Sequence, residues 1–280
     1  MKTSKTAHSQ EKELQNQSVA GVFIPVRYGS SRFPGKPLAM ISGRTMLQRV
    51  VEIAVSVVGE QNVIIATDDE RIASAASSLN VEVVMTPASC TNGTERIHAA
   101  LQKLGRKFDI VVNFQGDAPL TPPTVLLELI QFLHATPGAH IATPAIRLSV
   151  EQSVEMEEQS RKGVVGGTFV TVSRSGRALY FSKTPIPCRL RSPSRYEAHP
   201  LMKHIGMYAF RAAALETFVH LEPTPLEQLE QLEQLRALEH DITVHVVQVE
   251  LGGRELYSVD NPDDIVRVEH IIAKHGELIS

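Results

Sequence analysis

Strand-like and helix-like patterns alternate through the first half of this chain, and that alternation limits the open folds more than any other feature. Val22–Val26 is a short apolar run that stops at a loop rich in Gly, Ser and Pro. Thr45–Val58 follows with helical apolar spacing. The series continues with a buried-strand run at Val63–Ala66, a helix at Ile72–Leu79 and a strand at Val81–Met85. A helix at Thr94–Leu104, a strand at Asp109–Phe114 and a helix at Pro122–His134 complete it. The proline opening that last helix occupies a position where a missing N–H costs little. Such a series predicts an α/β fold with a mostly parallel central sheet covered by helices. A length of 280 residues suits one large α/β domain, or at most two small ones.

The pattern changes over residues 139–211. Strand candidates stand at Ile141–Ile146, Thr168–Val172, Ala178–Phe181 and Ile205–Phe210, and a Pro-, Ser- and Arg-rich loop lies between Pro185 and Pro200. We read this region as a small inserted β-rich subdomain that completes an active site and supplies a dimer contact, because exposed strand edges need a partner or a cover. Thr224-Pro225-Leu226-Glu227 reads as a helix start, with Thr224 as N-cap, Pro225 first and Glu227 completing a capping box. Leucines then recur at 226, 229, 232, 235 and 238. A period of three drifts around a helix, which disfavours a coiled coil and predicts a helix buried on much of its circumference. Ile242–Val249 reads as a late strand and Pro262–His275 as a closing helix.

Charge narrows the function. The formal net charge is −3, and there is no stripe of basic and aromatic residues, so a nucleic-acid binder is excluded and no anionic membrane is indicated. An anionic substrate must then be held by a local basic cluster. The two cysteines, Cys90 and Cys188, form no CxxC pair and read as ordinary core or loop residues. The opening MKTSKTAHSQEKELQNQ has no apolar segment of a secretory signal, and no apolar run approaches the ~20 residues of a membrane helix. We expect a cytoplasmic enzyme with a disordered leader over residues 1–20.

The strongest local signal follows the first strand: Arg27-Tyr28-Gly29-Ser30-Ser31-Arg32-Phe33-Pro34-Gly35-Lys36-Pro37. Loops beyond the carboxyl ends of strands are where open α/β sheets bind ligands. Gly and Ser let backbone N–H groups approach phosphate oxygens, and Arg27, Arg32 and Lys36 bring cations suited to a triphosphate. The loop is neither a Walker A motif nor GxGxxG. On its own it reads as a phosphate cradle or as a solvated basic turn.

The stretch IPVRYGSSRFPGKPL resembles the opening of the 3-deoxy-manno-octulosonate (Kdo) cytidylyltransferases, or CMP-Kdo synthetases. Further similar segments come in order: ATDDERI, NGTERI, FQGDAPL, LYFSKTPIP, KHIGMYAFR, PLEQLEQLEQLRALE and SVDNPDDI. The resemblance spans roughly residues 21–270. It implies a Rossmann-like nucleotidyltransferase, a single domain over 21–280, working as a homodimer. It also implies attack of the sugar's anomeric hydroxyl on the α-phosphorus of CTP, with loss of pyrophosphate, for lipopolysaccharide biosynthesis. By the same resemblance Arg27 and Lys36 are catalytic triphosphate binders helped by Arg32, and Gly93, Thr94 and Arg96 lie near the cytosine. Gln115, His204 and Tyr208 hold the sugar acid, and Glu233 and Gln234 contact sugar hydroxyls. Asp117 and Asp260 form a Mg2+ pair, which accords with the preference of that hard cation for one or two carboxylates plus water and phosphate.

Read without the resemblance, each residue has an ordinary alternative. Asp117 is equally a turn residue before Pro119, and Asp260 equally leads into a helix capped by Asn261 and begun by Pro262. His204 and Tyr208 suit a core, Glu233 and Gln234 suit a solvated helix face, and Asp68 suits loop ordering. The chain also departs from the family pattern. Ala118 follows Asp117 where Glu is usual, Lys183 replaces an Arg and loses its planar fork, and RKGVVGGTFVTV at 161–172 lacks an expected Asn and Lys. Arg189, Arg191 and Arg195 lie in a loop that normally helps cover the sugar. Because the departures fall on the sugar side, an 8-amino-Kdo or sialic-acid-like acceptor stays open, as does a non-catalytic nucleotide-sugar-binding protein. FQGDAP argues against the sialic-acid group.

Overall fold

The structure, a computed structural model, describes residues 19–30, 32–188 and 200–279. Leader residues 1–18, Ser31, Ser280 and the loop carrying Arg189, Arg191 and Arg195 lie outside the described residues.

Four strands form the parallel half of the sheet: β1 (Ala20–Val26), β4 (Val63–Thr67), β5 (Glu82–Met85) and β6 (Ile110–Asn113). They run in the order β5-β4-β1-β6, all parallel. A short hairpin, β2 (Met40–Ile41) with β3 (Arg44–Thr45), leads from the basic loop into helix α1 (Met46–Val58). Helices α2 (Glu70–Ala76), α3 (Gly93–Lys103) and α4 (Pro123–Ala135) make the remaining crossovers. Each helix start follows from its sequence. Thr45 accepts from the N–H of Gln48 at 3.1 Å, Asp69 from that of Arg71 at 2.9 Å, and Asn92 from that of Glu95 at 2.8 Å. Alternation along β1 sends Val22, Ile24 and Val26 to a core shared with α1 and α4. Phe23 goes to a second core on the opposite face, shared with α3. β1, β4 and β6 are thus buried on both faces, as their unbroken apolar runs require, while the edge strand β5 buries only Val84.

The chain then turns the sheet antiparallel. Strands β7 (Ile141–Arg147), β8 (Thr168–Val172), β9 (Ala178–Ser182), β10 (Met202–His204) and β11 (Tyr208–Arg211) extend the same sheet in the order β6-β11-β7-β10-β8-β9. β12 (Val244–Gln248) pairs parallel with β7. The strand expected over Ile205–Phe210 begins later. Ile205-Gly206-Met207 forms a kink, where the N–H of Met207 reaches the carbonyl of Ile205 at 2.6 Å. Helix α5 (Val150–Arg161), not anticipated above, fills the span before β8. Its signal was a capping box, Ser149 with Gln152.

After α6 (Ala212–Val219), the leucine-spaced segment folds as two helices, α7 (Pro225–Glu230) and α8 (Gln234–Glu239), not one. Gln231 takes a left-handed conformation, φ 53°, and ends α7. The break resolves the drift of a three-residue period. Leu232 and Leu235 enter the core, while Leu229 stays 80% exposed. The capping-box half expected of Glu227 is present, its carboxylate accepting the Thr224 N–H at 3.2 Å. Helix α9 (Asp264–His275) closes the chain and packs on the hairpin through Ile41, Met46, Leu120, Val259, Val268 and Ile271.

Candidate active site

All four parallel strands end on one edge, and the basic loop leaves it after Val26. The loop closes on itself through the Gly35 N–H and the Tyr28 carbonyl, 2.9 Å apart. Gly35 has φ 73°, and a Cβ there would lie 3.1 Å from the Tyr28 ring, so glycine is required. The turn delivers Lys36 into a three-way contact. Its Nζ donates to Asp117 Oδ2 at 2.8 Å and to the Val259 carbonyl at 2.7 Å, and lies 3.8 Å from Asp260 Oδ1. Arg32 reaches Asp260 Oδ1 at 3.0 Å from the solvent side, and Arg27 is exposed at the loop's entry.

Sequence positions 36, 117 and 260 meet because buried Val259 ties two loops together. Its N–H bonds the Asp117 carbonyl at 3.1 Å. Asp264 then shapes the turn that presents Asp260. Its Oδ2 accepts the N–H groups of Asp260 and Asn261, each at 2.7 Å, and Tyr257 donates to its other oxygen at 2.9 Å. Regular α-helix therefore begins at Asp264, two residues beyond the expected Pro262, after a tighter turn. Sequence reasoning missed Asp264. Its spacing from Asn261 matches the capping pattern and was the available signal.

A second cluster lies along the same edge, joined to the first by the 114–118 loop. A Cβ on Gly116 would lie 3.2 Å from the Pro25 carbonyl, and one on Gly93 would lie 3.2 Å from the Pro25 ring and 3.7 Å from Gln115 Nε2. The end of β1 thus touches both the start of α3 and the loop bearing Gln115 and Asp117. Thr94 is buried and donates to Glu233 Oε1 at 2.5 Å. Arg96 is also buried. It gives one bond to Thr86 at 2.8 Å and another to Asp68 at 2.9 Å, so its charge is already matched by the loop after β4. Asp68 orders that loop, as expected.

Glu233 and Gln234 are not a solvated face. Burial raises the Glu233 carboxyl above its ordinary range, against the Thr94 hydrogen bond. Gln234 turns inward to a cavity lined by Tyr208, Phe210, Phe218 and Val244, where its Nε2 has no hydrogen-bond partner. Burial, then the nearby Glu233, pushes the Tyr208 phenol well above its usual value.

His204 is buried between Phe181 and Tyr208, with ring centroids 5.1 and 5.5 Å away. The Thr143 hydroxyl gives its one hydrogen to the Met207 carbonyl at 2.6 Å and lies 2.7 Å from His204 Nε2. His204 Nε2 must then carry the proton, leaving Nδ1 as the acceptor. Burial, reinforced by Lys183, lowers the ring to about 3 from 6.5, so it is neutral near pH 7. Between those two values the unfolded chain binds the extra proton, so stability falls as pH falls through that window, by up to about 1.4 kcal/mol per unit. His204→Gln is expected to flatten this loss. Urea midpoints at about pH 7 and pH 5 check it, and an unchanged pH dependence contradicts it. Glu230, a further residue the sequence did not disclose, fixes the end of β9 beside Lys183. It accepts the Ser182 hydroxyl at 2.9 Å and the Lys183 N–H at 2.8 Å.

Among the described residues no three His, Cys, Asp or Glu side chains group to hold a metal by themselves. Asp117 and Asp260 nevertheless share one cation, the Lys36 ammonium. Two carboxylates already converging on positive charge fit a divalent ion that takes its other ligands from phosphate and water.

A glycine-punctuated cationic loop facing two carboxylates, at the carboxyl edge of a parallel sheet, suits the binding of a polyphosphate, as a nucleotidyltransferase requires. The comparisons carry this further. Residues 22–244 match the family model described as cytidylyltransferase. The chain is 50% identical over 256 residues to the 3-deoxy-manno-octulosonate cytidylyltransferase of Maricaulis maris (strain MCS10), covering 91% of this chain and 98% of that one. It is 38% identical to the mitochondrial 3-deoxy-manno-octulosonate cytidylyltransferase of Arabidopsis thaliana, covering 92% and 84%. A solved CMP:2-keto-3-deoxy-manno-octonic acid synthetase complexed with CTP superposes with a TM-score of 0.81 at 34% identity, covering 92% and 99%. The chain belongs to the 3-deoxy-manno-octulosonate cytidylyltransferase family.

Proposed function

We propose that this protein transfers CMP from CTP to the anomeric hydroxyl of Kdo, or a close analogue, with release of pyrophosphate. The observation that carries the reading is the convergence of Lys36, Asp117 and Asp260, from three distant parts of the chain, beside a basic loop. In the reaction the anomeric hydroxyl loses its proton to water and its oxygen bonds to the α-phosphorus, while the bond from that phosphorus to the oxygen bridging to the β-phosphate breaks. Negative charge grows on the α-phosphoryl group and on the departing pyrophosphate. Lys36, Arg27 and Arg32 are the cations assigned to neutralise it. Asp117 and Asp260 would hold Mg2+, which supplies Lewis-acid polarisation of the phosphate and lowers the pKa of the attacking hydroxyl. Gly93 and the start of α3 are the groups assigned to the base. Gln115, His204 Nδ1, Tyr208 and Glu233 form the sugar side, and Gln234 backs it from the interior.

A homodimer in the cytoplasm belongs to the same reading. Leu179 on β9, and Val164 and Val165 ahead of β8, are exposed apolar side chains. No helix among the described residues is long and apolar enough to cross a membrane. Lys183 stands beside His204 in place of the usual Arg, so the acceptor is best tested as a panel. Pyrophosphate release from CTP is expected with Kdo or its 8-amino form, dependent on Mg2+ and absent with UTP. No release with any ulosonic acid overturns the reading in favour of a binding protein.

A further inference from the structure

We propose that Asn113 is a positioning residue for the acceptor sugar, orienting Gln115 and Glu233 through one directed chain of hydrogen bonds. This rests on the reading of those two residues as sugar contacts. Asn113 is fully buried at the carboxyl end of β6, between Phe23 of β1 and Tyr208 of β11. It is the one polar side chain in the strand IVVN. A buried amide is costly unless both of its ends are bonded. Here both are: Nδ2 donates to Thr94 Oγ1 at 3.1 Å, and Oδ1 accepts from Gln115 Nε2 at 3.2 Å.

Direction is fixed by counting hydrogens. Thr94 has one, given to Glu233 at 2.5 Å, so its oxygen can only accept from Asn113. The Asn113 NH2 must therefore face Thr94 and its carbonyl must face Gln115. That arrangement turns the Gln115 NH2 inward and leaves its carbonyl oxygen to meet a sugar hydroxyl. It also holds one oxygen of Glu233 and leaves the other. Bonds running in one direction polarise each other toward the carboxylate at the end.

The start of α3, on the nucleotide side, has its own anchors. Asn92 caps it at 2.8 Å, and Arg96 is held by Asp68 and Thr86. Loss of the Asn113 amide should therefore release the sugar contacts while CTP binding persists.

Steady-state kinetics of the full chain with Kdo and CTP test this. Asn113→Leu is expected to raise the KM for Kdo about tenfold, the worth of one well-placed hydrogen bond, with the KM for CTP within about threefold. In a Gln115→Ala background the same substitution should add less than it does alone, keeping only the part that runs through Thr94 to Glu233. Should Asn113→Leu fail to fold, Asn113→Asp keeps the side-chain volume but removes the NH2 that faces Thr94, and should give the same Kdo-selective rise. An unchanged KM for Kdo, equal rises for both substrates, or full additivity with Gln115→Ala overturns the assignment. Calorimetric titration of Kdo reads the contrast without turnover. Wild-type protein that binds Kdo but releases no pyrophosphate defeats the proposed reaction alone. Wild-type protein that does not bind Kdo defeats both.

Discussion

Asp117→Asn is expected to lower kcat by roughly 10²–10³-fold or more, the usual cost of removing one electrostatic group aimed at developing charge. The fold should survive. The Asp117 side chain is one-third exposed, and asparagine matches its shape. Its tie to Lys36 is a partly solvated pair, worth about 1 kcal/mol or less. The melting temperature should move by only a few degrees, about 2–4 °C for each kcal/mol lost in a chain of this size. The backbone bond from Val259 to the Asp117 carbonyl does not depend on the side chain, so the two loops should stay together. Pyrophosphate release and circular-dichroism melting, measured on one preparation, separate the two effects. Wild-type turnover excludes a chemical role for the carboxylate, and a collapsed melt makes it structural.

Lys36→Met should be as severe, with a different signature. The Lys36 side chain is 13% exposed, and its ammonium is shared by Asp117, Asp260 and a carbonyl. Its removal leaves Asp117 without its cation and Asp260 with only the exposed Arg32, where a triphosphate would add more negative charge. The KM for CTP should therefore rise along with the fall in kcat, roughly 10²–10³-fold in kcat/KM, while the KM for Kdo changes little. Lys36→Arg should recover only part of the loss, because a planar guanidinium cannot aim at the same three acceptors from that turn. An unaltered KM for CTP in Lys36→Met contradicts its place on the triphosphate.

These effects concern residues the sequence announced, and the reason is local. The basic loop is contiguous, follows a strand whose apolar run is unmistakable, and carries its glycine where a left-handed turn demands one. The alternating series predicted the parallel half of the sheet for the same reason, since its three inner runs are buried on both faces. What escaped depends on partners far apart in the chain. Nothing near Asn113 reveals Thr94, and nothing near Glu230 reveals the end of β9. Helix α5 escaped because VEQSVEMEEQSR has too few apolar residues to show a period. The two-helix break after α7 escaped because the leucine spacing continues straight across Gln231, whose conformation no residue-type rule required. Glu233 and Gln234 read as a solvated face because they sit in a charged repeat. Burial was decided by the cores that Leu232 and Leu235 join.

Cationic loop and paired carboxylates act together on one polyphosphate with a divalent ion in the proposed reaction. Electron paramagnetic resonance of Mn2+, titrated into the full chain with and without CTP, tests it most directly. One Mn2+ per chain should bind tightly only when CTP is present, and either Asp117→Asn or Asp260→Asn should weaken that binding by at least about tenfold. Equal Mn2+ affinity in the wild type and both variants would show that the two aspartates do not share an ion, and the account would fail.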